Sequence, residues 1–396
     1  MSNIKALNAA RMKERNYLRF FNELRFTPMT RAQLARHMDL TRAATSLIAD
    51  DLLSTGIIKE GPSASGRQST KVLSWNAEAA YLAGIFISRD SISVGLSDLC
   101  GNIFDSQSFS LAGVVSAAEA LNVASDYLGD MVALHISTER LMGIGVASPG
   151  PLNTYLGVIL DPPNFEIFHD FAAAHFLRDR FKCDVVLEND ANALALAERC
   201  HGSSVGCDRF LELLVDTGIG ASLMLDGRLV NGPSGLGNGF GHTSININGP
   251  KCDCGNNGCI EMYASIPRII EMSKQLDPQL NSWQAVVNRA YAGDVTAREV
   301  VHTEASYLAT LVVNASNVLD IQAVIFAGDH ILYRPDMILE EIGHEVNKRI
   351  TSRAGRSIQI LASQLPPAAK ALSSANLIVE KYLERPFIFS NKTRFG

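Results

Sequence analysis

Before residue 56, apolar residues recur at helical spacing in three separate stretches. Between Asn8 and Leu24 they fall at Met12, Leu18, Phe21 and Leu24, and Pro28 ends that stretch. Thr30 is placed to cap a second helix, Arg31 to Met38, with Leu34 and Ala35 facing inward. Asp39-Leu40 makes a short turn. Thr41 then caps a third helix, Arg42 to Ser54, whose inward stripe is Thr45, Ile48, Ala49, Leu52 and Leu53, and Gly56 stops it. Ile57 to Lys59 and Val72 to Trp75 read as strands around a polar loop carrying Gly61, Gly66 and Arg67. Helices followed by a hairpin in this order predict a winged helix-turn-helix over residues 1–75. Such a module lays its third helix in the major groove of DNA and its hairpin tip along the minor groove. The outward side of that helix start presents Thr41, Arg42, Ala43 and Ser46, with Arg67 at the wing tip. These are the candidate DNA-binding residues, Arg42 being able to donate to a guanine edge or a phosphate. A three-helix protein-interaction module shares the same pattern.

Beyond a linker at 76–80, strand-like runs come in triplets. Tyr81 to Ile87, Ile92 to Ser97 and Ile103 to Phe109 form the first, with a turn at Asp98 to Gly101. Phe210 to Asp216, Ala221 to Leu225 and Arg228 to Val230 form the second, with a turn at Asp226-Gly227. Helical stretches and further strands follow, among them Leu141 to Val146 and Asp184 to Leu187. A repeated β-β-β-α-β-α unit predicts an α/β body of two lobes around a cleft, the duplicated ribonuclease-H-like architecture of actin and the sugar kinases. The expected lobes are 81–190 and 191–385, with a tail at 386–396.

Charge sharpens the division. Residues 1–75 hold 12 Lys and Arg against 6 Asp and Glu, while the rest of the chain holds 23 against 35. A basic head on an acidic body puts the polyanion at the head. No apolar run is long enough to span a bilayer, and the N-terminal stretch has no secretory h-region. Seven cysteines, an odd number, fit a reducing cytoplasmic compartment with metal rather than disulfides.

The metal has an address. Cys252, Cys254 and Cys259 lie within eight residues, ten after His242. A Cys₃His set closes a zinc tetrahedron and leaves no open position, so one structural Zn²⁺ per chain is expected. Gly255 and Gly258 let the backbone turn tightly enough to return Cys259 to the metal.

Five segments occur in an ordered set: 143–151 (Gly-Ile-Gly-Val-Ala-Ser-Pro-Gly-Pro), 188–193 (Glu-Asn-Asp-Ala-Asn-Ala), 216–221 (Asp-Thr-Gly-Ile-Gly-Ala), 239–242 (Gly-Phe-Gly-His) and the cysteine cluster ending at Glu261. Together they resemble the ROK family of repressors, open reading frames and sugar kinases, over about 76–385; the head resembles its repressor branch. The resemblance implies His242, Cys252, Cys254 and Cys259 as zinc ligands. It implies a sugar site of Asn164, Asn189, Asp190, His242 and Glu261, in which the kinases use the residue at Asp190 as the base. Two departures stand out. Gly239 occupies the place of a sugar-binding Glu, which alters the ligand, weakens it or removes it. Where the kinases carry Asp-x-Gly-Gly-Thr, this chain reads Phe86-Ile87-Ser88-Arg89-Asp90, so the first phosphate loop lacks its metal-organising Asp and its glycines. The expectation is a DNA-binding regulator, dimeric or a dimer of dimers, that senses a sugar or sugar phosphate and does not phosphorylate it. An active kinase with a DNA-binding head, and a body used only to dock a protein partner, are the other readings.

Overall fold

The computed structural model describes residues 2–62, 71–204, 206–231, 237, 239–351, 354–366 and 368–384. The head opens with α1 (Ser2–Phe26), which extends past both ends of its apolar pattern. Helix α2 (Arg31–His37) begins at a capping box. The Thr30 hydroxyl accepts from the Gln33 N–H, and the Gln33 side chain accepts from the Thr30 N–H. The Thr41 hydroxyl accepts from the Ala44 N–H to start α3 (Arg42–Ser54). Thr45, Ile48, Ala49 and Leu52 are buried as the stripe predicts, but Leu53 is only half-buried. It sits at the edge of the stripe, one residue before the helix ends. Strands β1 (Ile58–Pro62) and β2 (Lys71–Trp75) pair antiparallel. The loop between them, with Arg67, lies outside the described residues.

The first lobe contains β3 (Tyr81–Ile87), β4 (Ser91–Asp98), β5 (Ile103–Ser110), α4 (Ala117–His135), β6 (Leu141–Ser148), the short pair β7 (Leu152–Asn153) and β8 (Val158–Ile159), α5 (Ala173–Phe181) and β9 (Asp184–Asn189). Helix α6 (Asp190–His201) follows directly. The second lobe contains β10 (Phe210–Val215), β11 (Ile219–Leu225), β12 (Arg228–Leu229), the helices α7 (Glu261–Ala264), α8 (Ile266–Leu276), α9 (Trp283–Tyr291) and α10 (Val295–Leu319), then β13 (Ala323–Ala327), α11 (Asp336–Arg349) and β14 (Gln359–Ala362). The chain closes with α12 (Ala369–Glu384). The two sheets run β5-β4-β3-β6-β9 and β12-β11-β10-β13-β14. In each, the central strand is antiparallel to its hairpin neighbour and parallel to the strand after the crossover. The same order twice is the duplication the strand triplets predict.

Two expectations about boundaries change. Helix α12, assigned by sequence to the second lobe, packs on the first lobe's sheet. A Cβ on Gly84 of β3 would stand 2.0 Å from the Ala371 carbonyl oxygen, and one on Gly145 of β6 would stand 1.7 Å from that of Ser374. Glycine at both positions lets the helix backbone lie directly on the strands. The 76–80 linker is a single 3₁₀ turn at Ala77–Ala79 leading into a fully buried Ala80.

Head and body consequently share one apolar core. Phe20, Phe21 and Leu24 of α1 pack with Leu82, Met142, Ile378 and Tyr382 of the body. Arg25, its side chain 5% exposed, pairs with Glu380 and donates to the Asn376 side-chain oxygen at 2.7 Å. Among the described residues, no helix is long and apolar enough to cross a membrane.

Candidate functional site

The two lobes enclose a cleft of about 500 Å³. Its floor is the start of α6. There the Asn189 side-chain oxygen accepts from the N–H groups of Ala191 and Asn192, so the helix-capping role falls on Asn189. That leaves Asp190, in the first turn of the helix, to present its carboxylate to the cleft. Burial raises its pKa above the ordinary aspartate value, against opposing pulls from the Ala191 N–H and the Arg89 guanidinium.

Glu261 enters from the opposite side at the start of α7 and accepts from the Ile219 N–H at 2.9 Å. The loop 216–221, one of the five ordered segments, runs along the same wall. Its Asp216 is held at 2.5 Å by His330 Nδ1, a contact that raises the histidine's pKa. His242 sits on a 3₁₀ turn, Phe240–His242, and also faces the cleft. Four of the five expected sugar residues, Asn189, Asp190, His242 and Glu261, therefore converge. Asn164 does not line the cleft. It stands exposed in the left-handed region at φ 55°, while its neighbour Pro163 supplies the wall. No side chain projects from Gly239, and a Cβ there would meet nothing within 4 Å.

The first loop is rebuilt. Phe86 is 2% exposed and packs with Ala147, Leu194 and Leu377, so the position that the resemblance assigns to a metal-organising Asp is apolar core here. Arg89 extends from the β3–β4 turn into the cleft, where its Nε donates to the Pro163 carbonyl at 3.3 Å. Lys370, at the start of α12, lines the same cleft and donates to Asp329 at 2.7 Å. Sequence reasoning missed Lys370 and counted Arg89 only as a lost glycine. Neither belongs to a periodic pattern or a spaced motif.

Beside the cleft, one ligand atom from each of His242, Cys252, Cys254 and Cys259 lies within 4.8 Å of the other three. Cys252 Sγ stands 3.6 Å from His242 Nδ1, and Cys254 Sγ stands 3.6 Å from Cys259 Sγ. Zinc bonds of about 2.3 Å to sulfur and 2.0 Å to nitrogen give tetrahedron edges of about 3.5–3.8 Å, so the group can hold such an ion. Asp253 and Cys254 of this loop also line the cleft.

On the head, Thr41, Arg42 and Ala43 are exposed at the start of α3, and Ser46 is half-buried one turn on. Leu47, 72% exposed, adds an apolar side chain to the same surface. Arg31 is tied to Asp50 and Glu60, which braces α2 against α3 and the hairpin.

Comparison with known proteins follows this geometry. A xylose repressor of Bacillus spizizenii is 30% identical over 369 residues, spanning 91% of this chain and 94% of that protein. The crystal structure of a ROK family transcriptional regulator, a homologue of the Escherichia coli Mlc protein, superposes with a TM-score of 0.81 at 21% identity, covering 96% of this chain and 98% of the other. A ROK hexokinase from Thermus thermophilus superposes with a TM-score of 0.64 at 27% identity, covering 99% of its own length but 76% of this chain. The ROK family model matches residues 82–381, through both lobes, the cleft and the cysteine loop. The chain belongs to the ROK family.

Proposed function

We propose that this protein is a sugar-responsive transcriptional repressor of carbohydrate-metabolism genes. The observation that carries the reading is similarity to a xylose repressor over 91% of this chain, more than the body alone can supply, whereas the hexokinase matches only about the extent of the body. In this reading residues 1–75 form a winged helix-turn-helix. Thr41, Arg42, Ala43 and Ser46 enter the major groove, with Arg67 at the wing tip, and the protein binds as a dimer on a two-fold operator. The cleft holds the effector by Asn189, Asp190, Glu261 and His242. One zinc per chain closes the Cys₃His group. His242 would hold the ion together with the three thiolates and also lines the cleft, so a bound metal would fix the orientation of a ring on the sugar site.

No phosphoryl transfer is expected. A buried Phe86 cannot organise a metal, and Arg89 stands where glycine backbone would meet phosphate.

The test is fluorescence anisotropy of the full chain on DNA selected from its own upstream region, with metal analysis of the same sample. Binding should fall steeply with salt. Arg42→Ala should weaken it by about 1–3 kcal/mol. Effector sugar should shift it in the parent but not in Asp190→Ala. About one zinc per chain should be present, and lost in Cys254→Ser. Sugar-dependent ATP hydrolysis abolished by Asp190→Asn, or selective DNA binding that survives deletion of residues 1–75, would overturn the reading.

A further inference from the structure

The cleft carries a cation that the sugar site does not explain. Arg89 is half-buried. Its Nε is fixed on Pro163 O, which turns the terminal nitrogens across the lobe gap. Its Nη1 and the Glu261 Oε2 lie 3.0 Å and 2.8 Å from the point where a Cβ on Gly218 would stand. The missing side chain at Gly218 is therefore what admits the guanidinium. Among the described residues, no carboxylate comes within the 4.0 Å of an ion pair with Arg89. Asp190 and Glu261 flank it at longer range, and the open space at Gly239 adds no negative charge. A half-buried guanidinium with its fork unfilled is a receptor for a planar anion, which it binds through two parallel N–H···O bonds.

The surroundings choose between a carboxylate and a phosphate. A phosphate needs backbone N–H groups and tolerates few acids nearby. Here the Ile219 N–H is already donated to Glu261, and the Asp216 N–H is turned onto Gly218 O. Asp90 and Asp216 stand on the cleft wall. A dianion meets the stronger repulsion there, whereas a singly charged carboxylate needs only the fork.

We infer that the effector of this cleft is a sugar acid of the uronate type, with its carboxylate on Arg89 and its ring hydroxyls on Asp190 and Glu261. The inference rests on the sugar-cleft reading above and names its ligand class.

Isothermal calorimetry of the full chain with D-glucuronate, D-galacturonate, glucose, xylose and glucose 6-phosphate tests it. At least one uronate should bind about tenfold or more tighter than either neutral sugar, as a charge-assisted bidentate pair allows. Arg89→Gln should erase that preference while leaving neutral-sugar affinity within about twofold. Arg89→Lys, which keeps the charge and loses the fork, should retain only part of it and serves if the glutamine variant does not fold. Neutral sugars binding as tightly as the uronates, glucose 6-phosphate binding tighter than both uronates, or a uronate preference that survives Arg89→Gln would each overturn the inference and leave the sugar cleft standing. Failure of all five ligands to bind would remove the cleft reading itself.

Discussion

Glu212 shows how far a single side chain can depart from its local pattern. It lies on β10 directly opposite Ser222 on β11. Both are fully buried, and neither side chain's oxygens have a hydrogen-bond partner among the described residues. Burial, reinforced by Glu198, holds the Glu212 pKa well above the ordinary glutamate value. The folded state therefore keeps a proton that the unfolded chain releases from about pH 4.3 upward. Stability is present in full below that pH and falls as pH rises toward the folded value. Glu212→Gln should raise stability at pH 8 by about 1–3 kcal/mol and change little at pH 4. Urea titrations at the two pH values decide this, and an equal gain at both would mean that Glu212 does not titrate as described. Among the site residues, the Cys₃His group was legible from its spacing, because tetrahedral metal geometry fixes it, while Asn189, Asp190 and Glu261 were named only through the family resemblance of their segments. Arg89 was legible as a residue but not in its role. Its reach across the lobe gap depends on the absence of a side chain at Gly218, more than a hundred residues away in sequence.

Among the elements, α6 and α12 share an unusual placement. Each starts at the cleft, with Asp190 and Lys370 on its wall. Each reaches the junction with the head. Cys200 and His201 end α6 close to Arg25, and Asn376 and Glu380 of α12 bind that arginine directly. A helix is stiff along its axis, so a ligand that shifts either helix at the cleft displaces the seat of α1. Arg25→Ala should cost about 1–3 kcal/mol in stability and shrink the sugar-induced change in operator affinity, with sugar affinity itself kept. Calorimetry for the sugar and anisotropy for the DNA separate these quantities. A full allosteric response in the variant would exclude this route. Local pattern located the head's second and third helices and the strands it named to within about three residues, since capping residues and turn glycines are local signals, but it set no bounds for the helices of the body. It gave no sign that α12 belongs against β3 and β6. Its trace was the glycines at 84, 95, 143 and 145 inside the strands, where the close approach of α12 is the physical reason.

Taken whole, the molecule is two copies of one sheet topology with a basic head fused to the first copy's core. The duplication was readable because each copy repeats the same run of strands and turns. The division into successive lobes was not, because nothing local records that the end of the chain returns to its beginning. That return governs how the protein is made. Synthesis delivers the first lobe's five strands long before α12, so during translation the glycine-bearing face of β3 and β6 emerges without its cover, as does the body's side of the head's core. The first lobe can then complete its core only once α12 has been made. Until then that face of the sheet stays uncovered, and a chain cut before Ala369 has a head without its seat and a lobe without its lid. The seating of the head thus waits on α12, the last helix among the described residues.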